Sequence, residues 1–119
     1  QTTAENLDFK NLLAFADGDR DASRQILETF VAESLQNINN MQQAMQQEDI
    51  RKVGEIAHKM LPSYTMLGAN DVCHQLKVLE TKRTMNIMSD KDKEIIRCII
   101  IQIQDIIKQG EQEASLYQK

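Results

Sequence analysis

The sequence contains no tryptophan, one proline, four glycines and two cysteines, and its aromatic residues amount to three Phe and two Tyr in 119 residues. So little Gly and Pro leaves few of the turn residues that a protein of many short strands requires. Cys73 and Cys98 each lie inside an apolar helical pattern and not in a spaced pair. They make no disulfide framework, and they fit a reducing compartment. Basic charge is also scarce, with 14 Lys and Arg against 18 Asp and Glu and a net charge of -4. Lacking both a basic surface and a supply of stacking rings, the chain is a poor candidate for nucleic-acid binding. A long apolar run is missing as well. The most apolar stretch, residues 95–107, is broken by Arg97, Gln102, Gln104 and Asp105, and falls short of the roughly 20 residues that span a bilayer. No membrane segment is therefore expected. The start, Gln-Thr-Thr-Ala, shows no charged and then apolar leader, and the missing initiator Met suggests a module taken from a longer protein.

What remains is rich in Gln, Glu, Lys, Leu, Ile, Met and Ala, which suits helices. A chain of this length can bury roughly 65 to 70% of its unfolded surface, enough for one core without metal or disulfide staples. One domain over residues 1–119 is expected, with a cap helix inside 1–18 and a helical bundle over 19–118. No internal repeat is present.

Residues 8–16 (DFKNLLAFA) read as a short amphipathic helix with Phe9, Leu12, Leu13 and Ala16 on one side, closed by Asp17-Gly18. Asp19 can cap the next helix. From residue 20 to about 47, Leu27, Val31, Ile38, Met41 and Met45 step at helical spacing, with Ile26, Phe30 and Leu35 widening the stripe, which gives a helix about 40 Å long. A third helix should run over 49–67 and bury Ile50, Val53, Ala57, Met60, Tyr64 and Leu67, ending at Gly68. Asn70 is a plausible cap for a fourth, with Val72, Leu76 and Leu79 inward, Cys73 beside them and an end near Arg83. After a polar connection over 84–89, Ser89 with Asp92 resembles a capping box. The last helix should begin near Asp90 and turn Ile95, Ile99, Ile103, Ile106 and Ile107 inward, while the run DKDKE at its start stays solvated. Four long amphipathic helices joined by short turns are expected to form an all-α, antiparallel up-down four-helix bundle, with the short first helix over one end. Cys73 and Cys98 are expected to be buried as small hydrophobes, and Met41, Met45 and Met60 to fill the core.

One residue breaks the pattern. At 100° per residue, His58 points about 130° away from the buried face of the third helix, toward water. Around it on the outer side lie Arg51, Gly54, Glu55, Leu61, Pro62 and Thr65, an open surface with one apolar side chain. A solvent-exposed imidazole is mostly uncharged at neutral pH, so it carries a nitrogen lone pair that can act as a nucleophile. His74 lacks such surroundings, and no carboxylate or thiol stands at ligand spacing from either histidine.

The stretch from Ala57 to Ala69 (AHKMLPSYTMLGA) resembles the signature of histidine-containing phosphotransfer (HPt) domains, in which a four-helix bundle displays one histidine and a Leu-Gly-Ala turn comes after it. Leu67, Gly68 and Ala69 sit at the corresponding offsets, and VCHQLKVLE over 72–80 resembles the next helix of that family. The resemblance implies a phosphocarrier without kinase activity of its own. A receiver-domain aspartyl phosphate would hand its phosphoryl group to His58, which would pass it to another receiver. No cofactor is implied in this chain, and Mg²⁺ is implied only on the partner receiver. The family usually places Lys three residues after the histidine and Gly four after it, where this chain has Leu61 and Pro62. Lys59, about 100° around the helix, would then supply the stabilising charge. Pro62 cannot donate to the carbonyl of His58, so a kink or loosened turn is expected beneath it. Gly54, Leu61 and Pro62, with Arg51, Glu55 and Thr65, would form the docking face.

The run His-Lys-Met-Leu-Pro resembles in particular the HPt modules of hybrid sensor kinases from Bacteroides-like bacteria. It implies a cytoplasmic domain, free or tethered to the inner membrane through a parent kinase, and monomeric when excised. Three rival readings are an autophosphorylating kinase fragment, an HPt-like module that docks receivers without being phosphorylated, and a four-helix cofactor carrier. The first is disfavoured by Lys59 directly after the histidine and by the lack of a Gly-rich nucleotide loop. The third requires inward-facing His, Glu or Met ligands.

Overall fold

A computed structural model describes residues 7–118. Residues 1–6, which the sequence assigns to the cap unit, and residue 119 lie outside the described residues. The chain forms a short helix α1 (Lys10–Leu13) continued by a 3-10 turn (Ala14–Ala16), then α2 (Arg20–Gln46), α3 (Ile50–Met66) and α4 (Asn70–Glu80). A 3-10 turn (Thr81–Thr84) and a connection lead to α5 (Asp90–Ser115). The four longer helices pack antiparallel, α2 chiefly on α5 and α3 chiefly on α4, as an up-down bundle 48 × 27 × 19 Å. No described helix is long and apolar enough to cross a membrane.

Local chemistry sets the helix ends. The Asp19 and Asp49 carboxylates accept from the backbone N–H groups of Ala22 (2.9 Å) and Lys52 (3.1 Å), each capping a helix start. At the end of α3, Gly68 takes φ +72°, its N–H donates to the Thr65 carbonyl, and the Ala69 N–H donates to that of Tyr64 (3.1 Å each). This is a Schellman closure, and it explains the Leu-Gly-Ala turn: only Gly adopts the left-handed conformation without strain, and Ala69 is small enough to be buried after it. Asn70 is the first residue of α4 and not its cap; Ala69 holds the cap position with no side-chain bond. α4 ends as an α-helix at Glu80 and tightens into the 3-10 turn that reaches the Arg83 region.

The third-helix core expectation holds in full, since Ile50, Val53, Ala57, Met60, Tyr64 and Leu67 are all buried. Elsewhere the inward assignments of Leu35 and Cys98 are corrected, while Val31, Met45 and Ile95 are half-buried against the core. Leu35 is exposed, because the inner line of α2 runs through Leu27, Phe30, Ser34, Ile38 and Met41. Ser34 takes the inward place and shares a 2.6 Å hydrogen bond with the buried Tyr64 hydroxyl. Burial pushes that phenol well above its ordinary range, partly offset by Ser34, so Tyr64 stays neutral. On α5 the core line runs through Ile96, Ile99, Ile100, Ile103 and Ile107, leaving Ile95 half-buried and Cys98 exposed on the outer side.

The capping box is present, with the Ser89 hydroxyl accepting from Asp92 N–H and the Asp92 carboxylate accepting from Ser89 N–H, both at 3.0 Å. Asp92 is nonetheless only 3% exposed, so the charge run at the start of α5 is not wholly solvated. Lys82 Nζ lies 3.3 Å from its other oxygen. Burial alone would raise the carboxyl's pKa, but the Ser89 hydrogen bonds and the Lys82 charge prevail and hold it below the ordinary value. A lowered folded-state value means that this stabilisation is complete above the ordinary Asp range and fades as pH falls through the folded value. Asp92→Ala should therefore cost about 1 to 2 kcal/mol at pH 7 by urea unfolding. The gap between variant and wild type should narrow as the pH is taken below about 4.

Candidate functional site

With six α3 side chains fixed inward, His58 is left on the solvent side, its side chain 58% exposed. One neighbour reaches it across the bundle surface. Glu80, the last residue of α4 and 24% exposed, places Oε2 in hydrogen-bonding contact with His58 Nδ1. A carboxylate only accepts, so a neutral ring bonded in this way carries its proton on Nδ1 and leaves the Nε2 lone pair free. No described residue bonds Nε2.

Glu80 reaches this position because α3 and the end of α4 are in backbone contact one turn before His58. A Cβ added at Gly54 would lie 2.8 Å from the Leu79 carbonyl oxygen, 2.8 Å from Arg83 Cγ and 3.0 Å from Arg83 N. The expectation of an open surface at Gly54 is thereby corrected: Gly54 is buried, and the Arg83 stem lies across it. Arg83 is held from both ends of Glu80. Its Nε donates to the Glu80 carbonyl (3.1 Å), and Nη2 lies 3.8 Å from the carboxylate oxygen that contacts His58.

Of the other residues singled out by the sequence, Arg51, Glu55, Pro62 and Thr65 are exposed on α3. Arg51 donates to Asn86 Oδ1 (2.8 Å), tying the connection after Thr84 to the start of α3. The Thr65 hydroxyl lies 3.7 Å from the buried Cys73 thiol, a second stitch along the α3–α4 seam. Leu61 is half-buried and packs against the core, so little of it is free for a partner. α3 continues through Pro62 without ending there. Lys59 is not brought to the His58–Glu80 pair; it lines a shallow groove between α2 and α3 with Glu33, Asn37 and Met60. His74 is also exposed, on α4.

Glu80 and Arg83 are the two site residues that sequence reasoning missed. The only signal was the terminal Leu-Glu of VCHQLKVLE, and it does not say which way the carboxylate faces.

Compared with known proteins, residues 25–112 match the family model described as Hpt domain. No curated protein and no solved structure gave a match.

Gly54 decides whether this geometry survives. Helix propensity alone would make Gly54→Ala stabilising by about 1 kcal/mol. Overlap with the Leu79 carbonyl and the Arg83 backbone opposes it with a cost of about 1 to 3 kcal/mol. A net loss of stability is expected in urea unfolding, together with NMR shift changes at His58 and Glu80 as the helices separate.

Proposed function

The chain belongs to the Hpt domain family, the phosphocarrier modules of two-component phosphorelays that interact with receiver domains, and on that premise we propose that His58 is its phosphoryl acceptor. The observation that carries this reading is the exposed ring whose Nδ1 is engaged by Glu80 while Nε2 stays unbonded. Of the chain's two histidines, it is also His58 that stands at the head of the run resembling the family's signature.

In the transfer, the Nε2 lone pair attacks the phosphorus of a receiver's aspartyl phosphate. The bond between phosphorus and the aspartyl oxygen breaks, and its electron pair leaves with the carboxylate. The ring proton stays on Nδ1, where the Glu80 carboxylate accepts it and offsets the positive charge that the ring gains. Running the same step backwards delivers the group to a second receiver. Phosphoryl transfer depends mainly on in-line positioning and charge neutralisation, so a carrier needs only one well-aimed nucleophile.

The docking face would be the outer side of α3, with Arg51, Glu55, Pro62 and Thr65 around His58 and the exposed part of Leu61 beside it. Buried Gly54 supports that face from beneath. The bundle over residues 19–118 would be the folding unit, monomeric when excised, and part of a cytoplasmic hybrid sensor kinase of the Bacteroides-like type that the run His-Lys-Met-Leu-Pro resembles. Leu61 and Pro62 in place of Lys and Gly favour one second reading, in which the module docks receivers but is never phosphorylated.

Both readings meet in one experiment. A receiver domain loaded with labelled phosphate should pass label to the wild type, and His58→Gln should lose the transfer by at least about a hundredfold. Absence of transfer to wild-type protein would leave the inert module standing. Glu80→Ala, which frees the ring to rotate, should slow transfer about tenfold, while Glu80→Gln keeps an acceptor for the Nδ1 proton and should lose less.

A further inference from the structure

A phosphoryl group on His58 would carry a charge of about −1.5 to −2. It would stand across the ring from the Glu80 carboxylate, so the site holds two anions and requires a cation within reach. α3 does not provide one on the next turn, where Leu61 is packed against the core and Pro62 is uncharged. Of the other cations nearby, Lys77 lies one turn before Glu80 on α4, and three more are directed elsewhere. Lys59 lines the α2–α3 groove, Arg51 is bonded to Asn86, and Lys82 is paired with Asp92.

Arg83 is placed differently. Its stem runs over Gly54, one turn before His58, and its Nε is anchored on the Glu80 carbonyl at 3.1 Å. Held there and by the 3.8 Å approach of Nη2 to the Glu80 carboxylate, the Arg83 side chain is still 44% exposed and lies beside the group that holds the ring. Only a backbone without a side chain at position 54 allows the stem this path. We propose that Arg83 is the cationic partner of the phosphoryl group on His58, in the role for which α3 offers only Leu61 and Pro62. The inference rests on His58 being the acceptor. Arg83 donates N–H groups to phosphoryl oxygens, and Gly54 acts as a positioning residue through it. A guanidinium suits this task because its planar fork matches phosphate oxygens and its charge is independent of pH.

The test uses potassium phosphoramidate, a small donor that releases ammonia as it gives up its phosphoryl group, so that receiver docking plays no part. Phosphohistidine formation and decay are followed by ³¹P NMR on wild type, Arg83→Gln, Arg83→Lys, Lys77→Gln and His58→Gln, each checked for its fold by thermal melting. Wild type should be labelled at His58, and Arg83→Gln should form phosphohistidine more slowly, or lose it faster, by about tenfold, the scale of one charge-assisted hydrogen bond. Arg83→Lys should recover part of this, and Lys77→Gln, which removes a cation one turn earlier on α4, should behave as wild type. The Arg83 Nε–H resonance of the wild type should also shift on phosphorylation, which a purely structural arginine would not show. That measurement stands even where a variant fails to fold. Normal kinetics in Arg83→Gln with His58 labelled, or a loss that tracks Lys77 instead, would overturn the role of Arg83 and leave His58 as acceptor. A wild type that takes no label on His58 would overturn the acceptor reading, and this inference with it.

Discussion

The contact between α3 and α4 at Gly54 sets the geometry of everything at the site. With no side chain there, the backbone of α3 meets the Leu79 carbonyl and the stem of Arg83. Three pairs then descend the seam in register: Gly54 with the end of α4, His58 with Glu80, and Thr65 with Cys73. The Schellman closure at Gly68 fixes the far end of the same hairpin and buries Ala69. Pinned at both ends, α4 cannot slide or roll without collision at Gly54 or loss of packing at the turn. The Glu80 carboxylate is thus delivered to the ring by helix packing and not by a local motif. From the other side of the bundle, the buried Ser34–Tyr64 bond anchors α3 to α2.

The His58–Glu80 contact matters for orientation more than for stability. Exposed ion pairs contribute at most about 1 kcal/mol, since water competes for both partners. In a neutral ring the same contact places the proton on Nδ1 and sets which way the ring faces, which on the proposed reading is what would present Nε2 as a nucleophile. On the reading that His58 is the acceptor, Glu80 brings a negative charge to a place where a phosphoryl group would add more, and the adjacent guanidinium of Arg83 would offset it. These three side chains make a short polar chain on an otherwise plain helical surface. Such a surface suits a carrier whose partners bring the rest of the chemistry.

Much of this was legible in the sequence. Apolar spacing gave the four long helices and the third-helix core residue by residue, because a 3.6-residue period projects one stripe inward along a straight helix. The same projection put His58 in solvent. It failed where two faces compete for the core: Leu35 lost its place to Ser34, whose hydroxyl finds Tyr64, and Ile95 yielded to Ile96 on a helix apolar over more than half its circumference. Cys98 stayed on the outer side of that helix. Gly54 looked like open surface because a glycine leaves the same trace whether solvent or another helix occupies the missing side chain's space. Glu80 and Arg83 were illegible for a deeper reason. Their meeting with His58 depends on the relative height of two helices, which periodicity within either one does not contain.

The central claim is that Glu80 holds the His58 proton on Nδ1 and leaves Nε2 as the free nucleophile. Long-range ¹H–¹⁵N correlation spectra of the histidine rings, recorded on the unphosphorylated protein at a pH where His58 is neutral, read this directly. A pyrrole-type signal for Nδ1 and a pyridine-type signal for Nε2 are expected, with the distinction weakened in Glu80→Ala. A neutral ring protonated on Nε2 in the wild type would contradict it.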